Sequence, residues 1–257
     1  MLSVFSLPEA GSALEGEALR RVLVRGDQVV LLTAAHRIVR LAPSRADPAS
    51  WTTTVYDTFA RVADIFVDEG CRHLCFTSEQ SLYYLSLAAQ QSSPSLLIAA
   101  KLPISSLLFH PLENNRILLF AGTIAGSVIS LLFTPPSAVE QLSVFTLEAL
   151  APIGSMTLWK EGALHWIFIL VFSLPLRVHV LPLDQLPMAD RPVSSSATLP
   201  GHATHDSSLV LSRVDEELIS YAIVTDEGVL SGIFRADSLR DRCPPSHSSV
   251  MNHLHRT

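Results

Sequence analysis

Residues 117–133 read ILLFAGTIAGSVISLLF, two apolar runs on either side of a short segment with Gly122 and Gly126. The stretch has 17 residues, whereas a membrane-spanning helix needs roughly 20 predominantly apolar ones. The spacing of the glycines matches the GxxxG motif of packed membrane helices, which is the alternative interpretation. However, Val128 and Ile129 are strand formers that follow the glycines directly, and glycine is a turn residue. The stretch therefore predicts a strand, a turn and a second strand.

Four further segments repeat this arrangement of apolar run, short turn and apolar run: residues 28–41, 74–87, 166–183 and 218–234. Successive turns are 44, 45, 51 and 52 residues apart when they are aligned at Thr33, Thr77, Gly122, Ser173 and Thr225. A period of about 40–45 residues, with one antiparallel unit per period, is typical of propeller blades. The sequence therefore predicts an all-β fold: a WD40-like β-propeller, incomplete, with about five recognisable blades.

The domain boundaries are predicted from the first and last of these segments. We expect residues 1–27 to form an N-terminal extension, residues 28–234 the β-propeller and residues 235–257 an irregular tail. Connections that are polar or rich in Pro and Ser are expected between the units, at residues 44–50, 90–95 and 184–206.

The composition excludes several classes of protein. Of the 257 residues, 48% are hydrophobic and 16% are charged, which is too apolar for a disordered chain. The formal net charge is −6 and no basic stripe is present, so we expect no binding to nucleic acid. Three cysteines do not form a disulfide framework and fit a reducing, cytosolic setting. The first residues lack the basic and apolar regions of a signal peptide.

Cys71, His73 and Cys75 are residue types that bind metals, and in one strand all three would face the same side. A strand rises about 3.3 Å per residue, which separates Cys71 from Cys75 by about 13 Å. That distance is too long for two Zn–S bonds of about 2.3 Å or for a disulfide. A bend at Gly70 would shorten the distance, so a metal site remains an alternative. We expect core or half-buried strand residues instead.

Other residues of types that catalyse reactions or bind metals have simpler structural explanations. His202, His205 and Asp206 lie in a polar segment with no third ligand fixed nearby, and we expect a solvated loop. The same holds for the histidines of the tail, which are His247, His253 and His255. The signatures of serine hydrolases, metalloproteases and nucleotide-binding loops do not occur. The chain is therefore predicted not to be an enzyme, with no catalytic, cofactor-binding or metal-binding residue and no cofactor.

Two carboxylates and three tryptophans have structural explanations. Asp64 and Asp68 have no partner carboxylate that the sequence can place, and Asp68 is explained as a turn residue. Tryptophan serves either in a core or as the anchor of an interface. The sequence leaves both uses open for Trp51, Trp159 and Trp166.

The order of these segments resembles a known family. Residues 61–74, RVADIFVDEGCRHL, and residues 81–85, SLYYL, resemble the V-x-x-x-F-x-D-x-x-G-x-H-L segment and the Leu-Tyr strand of the deep orange family of vacuolar protein sorting subunits (subunit eighteen, also Pep-three). Residues 119–128 resemble its G-T-x-x-G-x-I hairpin, and residues 173–178 its T-x-x-R-L-Y strand. Residues 222–232 resemble its G-V-x-Y-G strand. The resemblance is to the N-terminal β-propeller of the family and covers residues 28–234, about four-fifths of the chain.

This resemblance implies a function in vesicle tethering, as a scaffold subunit of the class C core shared by the HOPS and CORVET complexes. The implied partners are the other class C subunits and, indirectly, Rab GTPases and SNAREs. The implied location is the cytosolic face of late endosomes and the vacuole or lysosome, reached through the complex. The family's propeller is longer and is followed by a solenoid and a zinc-binding RING-like module. Only Cys243 lies beyond Cys75, so we carry over no zinc-dependent role and expect a fragment or a reduced form.

Two alternatives stay open. A generic WD40-like protein-interaction scaffold of an unrelated pathway has the same sequence pattern, because one fold hosts many functions. A hydrolytic or sugar-binding propeller is the third hypothesis, and the lack of convergent acidic residues weakens it.

Overall fold

In the part of the chain that the computed structural model describes, nineteen β-strands follow one another. The described residues are 14, 16–44, 46–47, 50–56, 58, 61–88, 93–99, 103–147, 150–161, 164–183, 195–199, 207–214, 218–224 and 228–235. No helix in this part of the chain is long and apolar enough to cross a bilayer. The chain divides into two compact units, Met1–Lys101 and Leu102–Thr257.

The unit Met1–Lys101 contains two four-stranded antiparallel sheets, the first and second blades. The strands of the first blade are β1 (Leu19–Arg25), β2 (Gln28–Thr33), β3 (Ile38–Pro43) and β4 (Trp51–Tyr56). Those of the second are β5 (Asp64–Val67), β6 (His73–Ser78), β7 (Ser81–Ser86) and β8 (Ser95–Ala99). Neighbours in each sheet are neighbours in the chain, which is the up-and-down order of a propeller blade.

The unit Leu102–Thr257 contains the third, fourth and fifth blades. The third blade consists of β9 (Ile104–Pro111), β10 (Ile117–Thr123), β11 (Ser127–Thr134) and β12 (Ala138–Thr146). The fourth consists of β13 (Ile153–Glu161), β14 (Leu164–Val171), β15 (Leu176–Pro182) and β16 (Ser195–Leu199). The fifth has three described strands, which are β17 (Ser208–Arg213), β18 (Leu218–Val224) and β19 (Val229–Arg235).

The five predicted hairpins are confirmed, and each is the pair of second and third strands in its blade. In the stretch that opened the prediction, Ile117 pairs with Phe133 and Gly122 with Val128. The turn itself lies further along than the alignment placed it, because Gly122 is still in β10. Gly126 is the turn glycine, with a φ of 79° that a side chain would oppose.

Strands at the margins of the blades correct the predicted boundaries. The predicted N-terminal extension, residues 1–27, contains β1, which pairs with β2 from Arg25↔Gln28 onward. The predicted connection at residues 90–95 includes the first residue of β8, and that at 184–206 includes β16. β1 and β8 are mostly exposed or half-buried, and all three strands lie outside the apolar hairpins from which the boundaries were predicted. The predicted tail keeps only Arg235 within the described chain, as the last residue of β19.

The cores lie between the sheets. In the fourth blade, Ile167 and Ile169 of β14 belong to one apolar cluster, with Phe120 of the third blade. Phe168 and Leu170 of the same strand belong to a second cluster. Because side chains alternate between the two faces of a strand, burial on both faces makes every position apolar. This explains why the central strand of the blade is almost continuously apolar.

Candidate protein-interaction surface

The three predicted candidate ligands lie in two different structural settings. His73 and Cys75 are in β6, but Cys71 lies in the preceding turn with a left-handed φ of 50°. The assumption that all three share one straight strand was therefore wrong for Cys71. Within the described ranges, no group of three or more His, Cys, Asp or Glu residues is arranged to hold a metal ion. Cys71 and Cys75 are both buried as free thiols.

Burial controls the ionisation of these groups. Burial raises the pKa of the Cys71 thiol, and it raises that of the Cys75 thiol by more, because a thiolate is poorly solvated in an apolar core. Burial lowers the pKa of the His73 imidazole, whose Nδ1 lies 3.0 Å from the Tyr84 hydroxyl. A protonated, buried thiol is a poor nucleophile. The arrangement fits a packed core better than a reactive centre.

Asp68 is confirmed as a turn residue. Its Oδ1 accepts hydrogen bonds from the backbone N–H groups of Arg72, at 2.8 Å, and His73, at 2.6 Å. These bonds close the connection from β5 to β6 around Gly70 and Cys71. Asp64, the other carboxylate considered, forms an ion pair with Arg21 of β1. Both carboxylates therefore serve the architecture of the first unit.

The tryptophans divide between core and surface. Trp166 is buried, and Trp159 is partly buried against the same core cluster. Trp51 lies on β4, the outermost strand of the first blade, and is 38% exposed, which leaves it available as an interface anchor. The candidate residues of the polar segment and the tail lie outside the described residues. They are five histidines and one aspartate: His202, His205, Asp206, His247, His253 and His255.

Polar side chains tie neighbouring blades together within each unit. In the first unit, Arg20 of β1 donates to the carbonyl oxygens of Val62, at 3.0 Å, and Ala63, at 3.3 Å, just before β5. Adjacent Arg21 reaches Asp64. These contacts join the first strand of one blade to the first strand of the next.

The second unit uses short hydroxyl side chains for the same purpose. Ser105 of β9 donates to the carbonyl of Ile153 on β13, at 2.7 Å. Thr157 of β13 donates to the carbonyl of Leu209 on β17, at 2.8 Å, and the Leu209 N–H donates to Ser155, at 3.3 Å. Backbone groups of consecutive first strands are thereby satisfied across the blades. Neighbouring sheets of the second unit are therefore joined through their first strands.

The fifth blade has two very different faces. One face packs on the fourth blade through Leu209, Ile219 and Ile223, which are buried. Exposed apolar side chains define the other, which we call the outer face: Val210 at 50%, Val224 at 43%, Val229 at 62% and Ile233 at 59%. Register places them together, since Val224 pairs with Val229, and Ala222 pairs with both Val210 and Ser231.

The outer face is a candidate interaction surface that was not predicted from the sequence. Grouped exposed apolar residues mark interaction sites more often than scattered ones do. The sequence signal was available in β19, VLSGIFR, where apolar residues occupy both faces of the strand. Which face is covered cannot be read from that pattern alone.

The similarity of this chain to known proteins lies in its structure. No family model matches the sequence, and the search of curated proteins finds no match. Solved structures do match. Dihydro-heme d1 dehydrogenase NirN, in complex with DHE, aligns with a TM-score of 0.59 at 11% identity, over 87% of this chain and 46% of that one. The WD40 domain of SCAP from fission yeast aligns with a TM-score of 0.52 at 16% identity, over 85% of this chain and 62% of that one.

A third similar structure is BBS1N in complex with ARL6DN. It aligns with a TM-score of 0.54 at 17% identity, over 83% of this chain and 63% of that one. Identities this low show the fold alone: the chain is an all-β, WD40-like β-propeller with five antiparallel blades. It spans about half to two-thirds of the length of these three chains. These similar structures include both a dehydrogenase and a complex with a second component, so the fold does not select between catalysis and binding.

Proposed function

We propose that this chain is a non-catalytic β-propeller that binds other proteins. The observation that carries the proposal is the outer face of the fifth blade, with four Val and Ile side chains between 43% and 62% exposed. Among the residues first considered for chemistry, Asp68 and Asp64 hold the backbone and neighbouring strands, and the two described cysteines are packed in the core. Binding through a flat sheet face requires buried apolar anchors rather than a cleft.

The specific form that we propose is a class C vacuolar sorting subunit that acts in vesicle tethering. Its support is the ordered set of motifs in residues 28–234, which resembles the deep orange family. The partners would be other class C subunits and, through them, Rab GTPases and SNAREs on late endosomes and the vacuole or lysosome. A generic WD40-like scaffold is the alternative, and the similar structure of BBS1N in complex with ARL6DN supports protein binding in general.

Binding to purified class C subunits tests the proposal. The full chain should bind at least one of them in isothermal titration calorimetry. Replacing Val229 and Ile233 by Asp should weaken that binding by about tenfold or more, because two charges would be buried at the interface. The matched control is Val144→Asp, an exposed strand position of β12 at 46% exposure, which should leave binding unchanged.

The outcomes separate the two forms of the proposal. Binding to other proteins, but to no class C subunit, would replace the tethering role by the generic scaffold. If the Val229→Asp/Ile233→Asp variant and Val144→Asp lose binding affinity equally, the outer face is not the binding surface. A catalytic activity that copurifies with the chain and is lost on mutation of a described polar residue would overturn both forms.

A further inference from the structure

Three turns in the third and fourth blades carry large aliphatic residues that face solvent. Ile124 lies in the turn between β10 and β11, Leu150 in the connection from β12 to β13, and Leu174 in the turn between β14 and β15. These residues are 44%, 71% and 81% exposed, respectively. Among the large hydrophobic residues that the structure describes, Leu174 and Leu150 are the two most exposed.

Close contacts place the three turns next to one another within the second unit. A Cβ atom on Gly126, in the first turn, would lie 3.3 Å from the Cα of Leu150. The Phe172 N–H donates to the Pro152 carbonyl, at 2.9 Å, which joins the third turn to the same connection. The three turns therefore lie at one end of two neighbouring blades. We call their exposed aliphatic residues the turn cluster: Ile124, Leu150 and Leu174.

Packing does not account for these side chains. Leu150 has a φ of 45°, a left-handed conformation that leucine rarely adopts and that glycine or asparagine adopts more readily. Its N–H donates to the Leu147 carbonyl, at 3.2 Å, but its side chain is mostly in solvent. The turns between the second and third strands of the first and second blades carry His36 and Glu79 instead. Exposed aliphatic tips are therefore a property of these blades and not of the turn type.

The backbone of the turns is satisfied from within. The Gly126 N–H donates to the Thr123 carbonyl, at 3.2 Å, and the Ser127 N–H donates to the Thr123 Oγ1, at 3.1 Å. The Ser173 hydroxyl donates to the Pro175 carbonyl, at 2.7 Å. Internal hydrogen bonding of this kind is what a backbone segment needs in a lipid layer, where water is scarce.

Charge gives an independent indication. The described residues of the three turns, 123–127, 150–152 and 172–176, include no charged side chain. The formal net charge of the chain is −6, which opposes attraction to an anionic surface. The residue types also matter, because Trp, Tyr and Arg dominate the anchors of protein interfaces, whereas Leu is under-represented there. Uncharged aliphatic tips fit fluid hydrocarbon, which adapts to their shape.

We propose that the turn cluster inserts into the surface of a lipid bilayer with neutral headgroups and holds the chain directly on a membrane. This inference goes beyond the proposed function, which assigns protein binding to the outer face of the fifth blade. Three aliphatic side chains bury less apolar surface than one myristoyl chain, which by itself gives only marginal, reversible binding. The contact is therefore weak and reversible, and a second contact through a bound protein would strengthen it.

Flotation of the full chain with phosphatidylcholine vesicles tests the proposal. We expect saturable binding at high lipid concentration that is not increased when phosphatidylserine is mixed into the vesicles. Raising the salt concentration from about 0.1 M to about 1 M should not weaken it, because salt screens charges and not apolar contacts. Leu174→Trp should add tryptophan emission that brominated phosphatidylcholine quenches, which places residue 174 in the hydrocarbon.

Leu150→Asn/Leu174→Ser is the decisive variant, since asparagine tolerates the left-handed backbone. It should weaken vesicle binding by about tenfold or more. The matched control is Val144→Ser/Val214→Ser, which removes two aliphatic side chains that are 46% and 55% exposed outside the three turns, and it should leave vesicle binding unchanged. If the first variant fails to fold, Leu174→Ser alone decides and should weaken binding about threefold or more.

Three results would overturn the proposal. They are no flotation of the wild type, equal losses in the two double variants, and binding that needs phosphatidylserine and disappears in high salt. Loss of class C subunit binding in Leu150→Asn/Leu174→Ser would also overturn it, because the turn cluster would then contact protein. Absence of vesicle binding, with subunit binding still lost in Val229→Asp/Ile233→Asp, would reject the membrane contact and leave the proposed function standing.

Discussion

At the scale of single residues, Asp68 determines the turn that leads from β5 into β6. Its buried carboxylate accepts hydrogen bonds from two backbone N–H groups, those of exposed Arg72 and half-buried His73. We expect Asp68→Ala to lower the free energy of unfolding by about 1–3 kcal/mol, because two hydrogen bonds to a charged group are lost. Urea denaturation measures the change.

Asp68→Asn is the matched control for this position. The amide oxygen can still accept a hydrogen bond, so the loss should be smaller than for alanine. Equal losses in the two variants would mean that the negative charge, rather than the acceptor, is what the turn requires.

His73 makes the stability depend on pH. Burial lowers the pKa of its imidazole, and Arg72 acts in the same direction, whereas the Asp68 carboxylate opposes them. The folded-state pKa therefore lies below the ordinary value of 6.5. The stabilisation that depends on the neutral His73 ring is complete above pH 6.5. It is lost as the pH falls from there towards the folded-state pKa, because the unfolded chain binds the proton more readily.

The test is urea denaturation of the wild type and of His73→Gln from about pH 8 to about pH 5, which spans the ordinary titration range of histidine. The wild-type midpoint should fall over the acidic half of that range, and the variant should flatten the fall. A glutamine variant with the same slope as the wild type would assign the pH dependence to other groups.

At the scale of elements, the central hairpins could be predicted and the marginal strands could not. β10 and β11 are buried on both faces, so nearly every residue is apolar and the hairpin is visible in the sequence. β4 has one buried residue, Tyr56, and otherwise reads as Trp, Thr and Val, which a loop can also contain. The fourth-strand position of each blade is fixed by pairing between strands, and a single sequence does not display pairing.

Gly122 shows why β10 requires a glycine at one position. A Cβ atom there would lie 2.5 Å from the Ser106 Oγ and 2.6 Å from the Ile153 Cγ2, both closer than real contacts allow. We expect Gly122→Ala to destabilise the chain by about 1–3 kcal/mol through overpacking between the third and fourth blades. Thermal and urea unfolding measure the loss.

The double variant Gly122→Ala/Ser106→Ala is the control for that mechanism. Removing the Ser106 hydroxyl relieves one of the two clashes, and that buried hydroxyl has no hydrogen-bond partner in the described residues. The double variant should therefore recover part of the lost stability. Additive losses would attribute the cost to the backbone of β10 rather than to crowding.

At the scale of the whole molecule, the repeat period predicted the propeller correctly, whereas the exposed apolar side chains on the outer face of the fifth blade were not predicted. Blade number and hairpin order follow from apolar runs, which packing imposes on the sequence. The outer face depends on which neighbouring strands cover it, which a single sequence does not display. Val229 and Ile233 have the same residue types as core positions, so their exposure is a property of the assembled sheets.

Metal removal provides a test at this scale, because the core clusters of both units are apolar. Cys71 packs among Leu74, Phe76 and Ile65 in the first unit, as a small apolar side chain would. We expect the melting temperature to be unchanged by a chelator, and elemental analysis to find no stoichiometric zinc. Cys75→Ala should cost stability equally with and without the chelator, because it leaves a small cavity. Stoichiometric zinc that is lost together with the fold, and absent from Cys75→Ala, would instead make the two cysteines ligands and restore the metal site as a structural element.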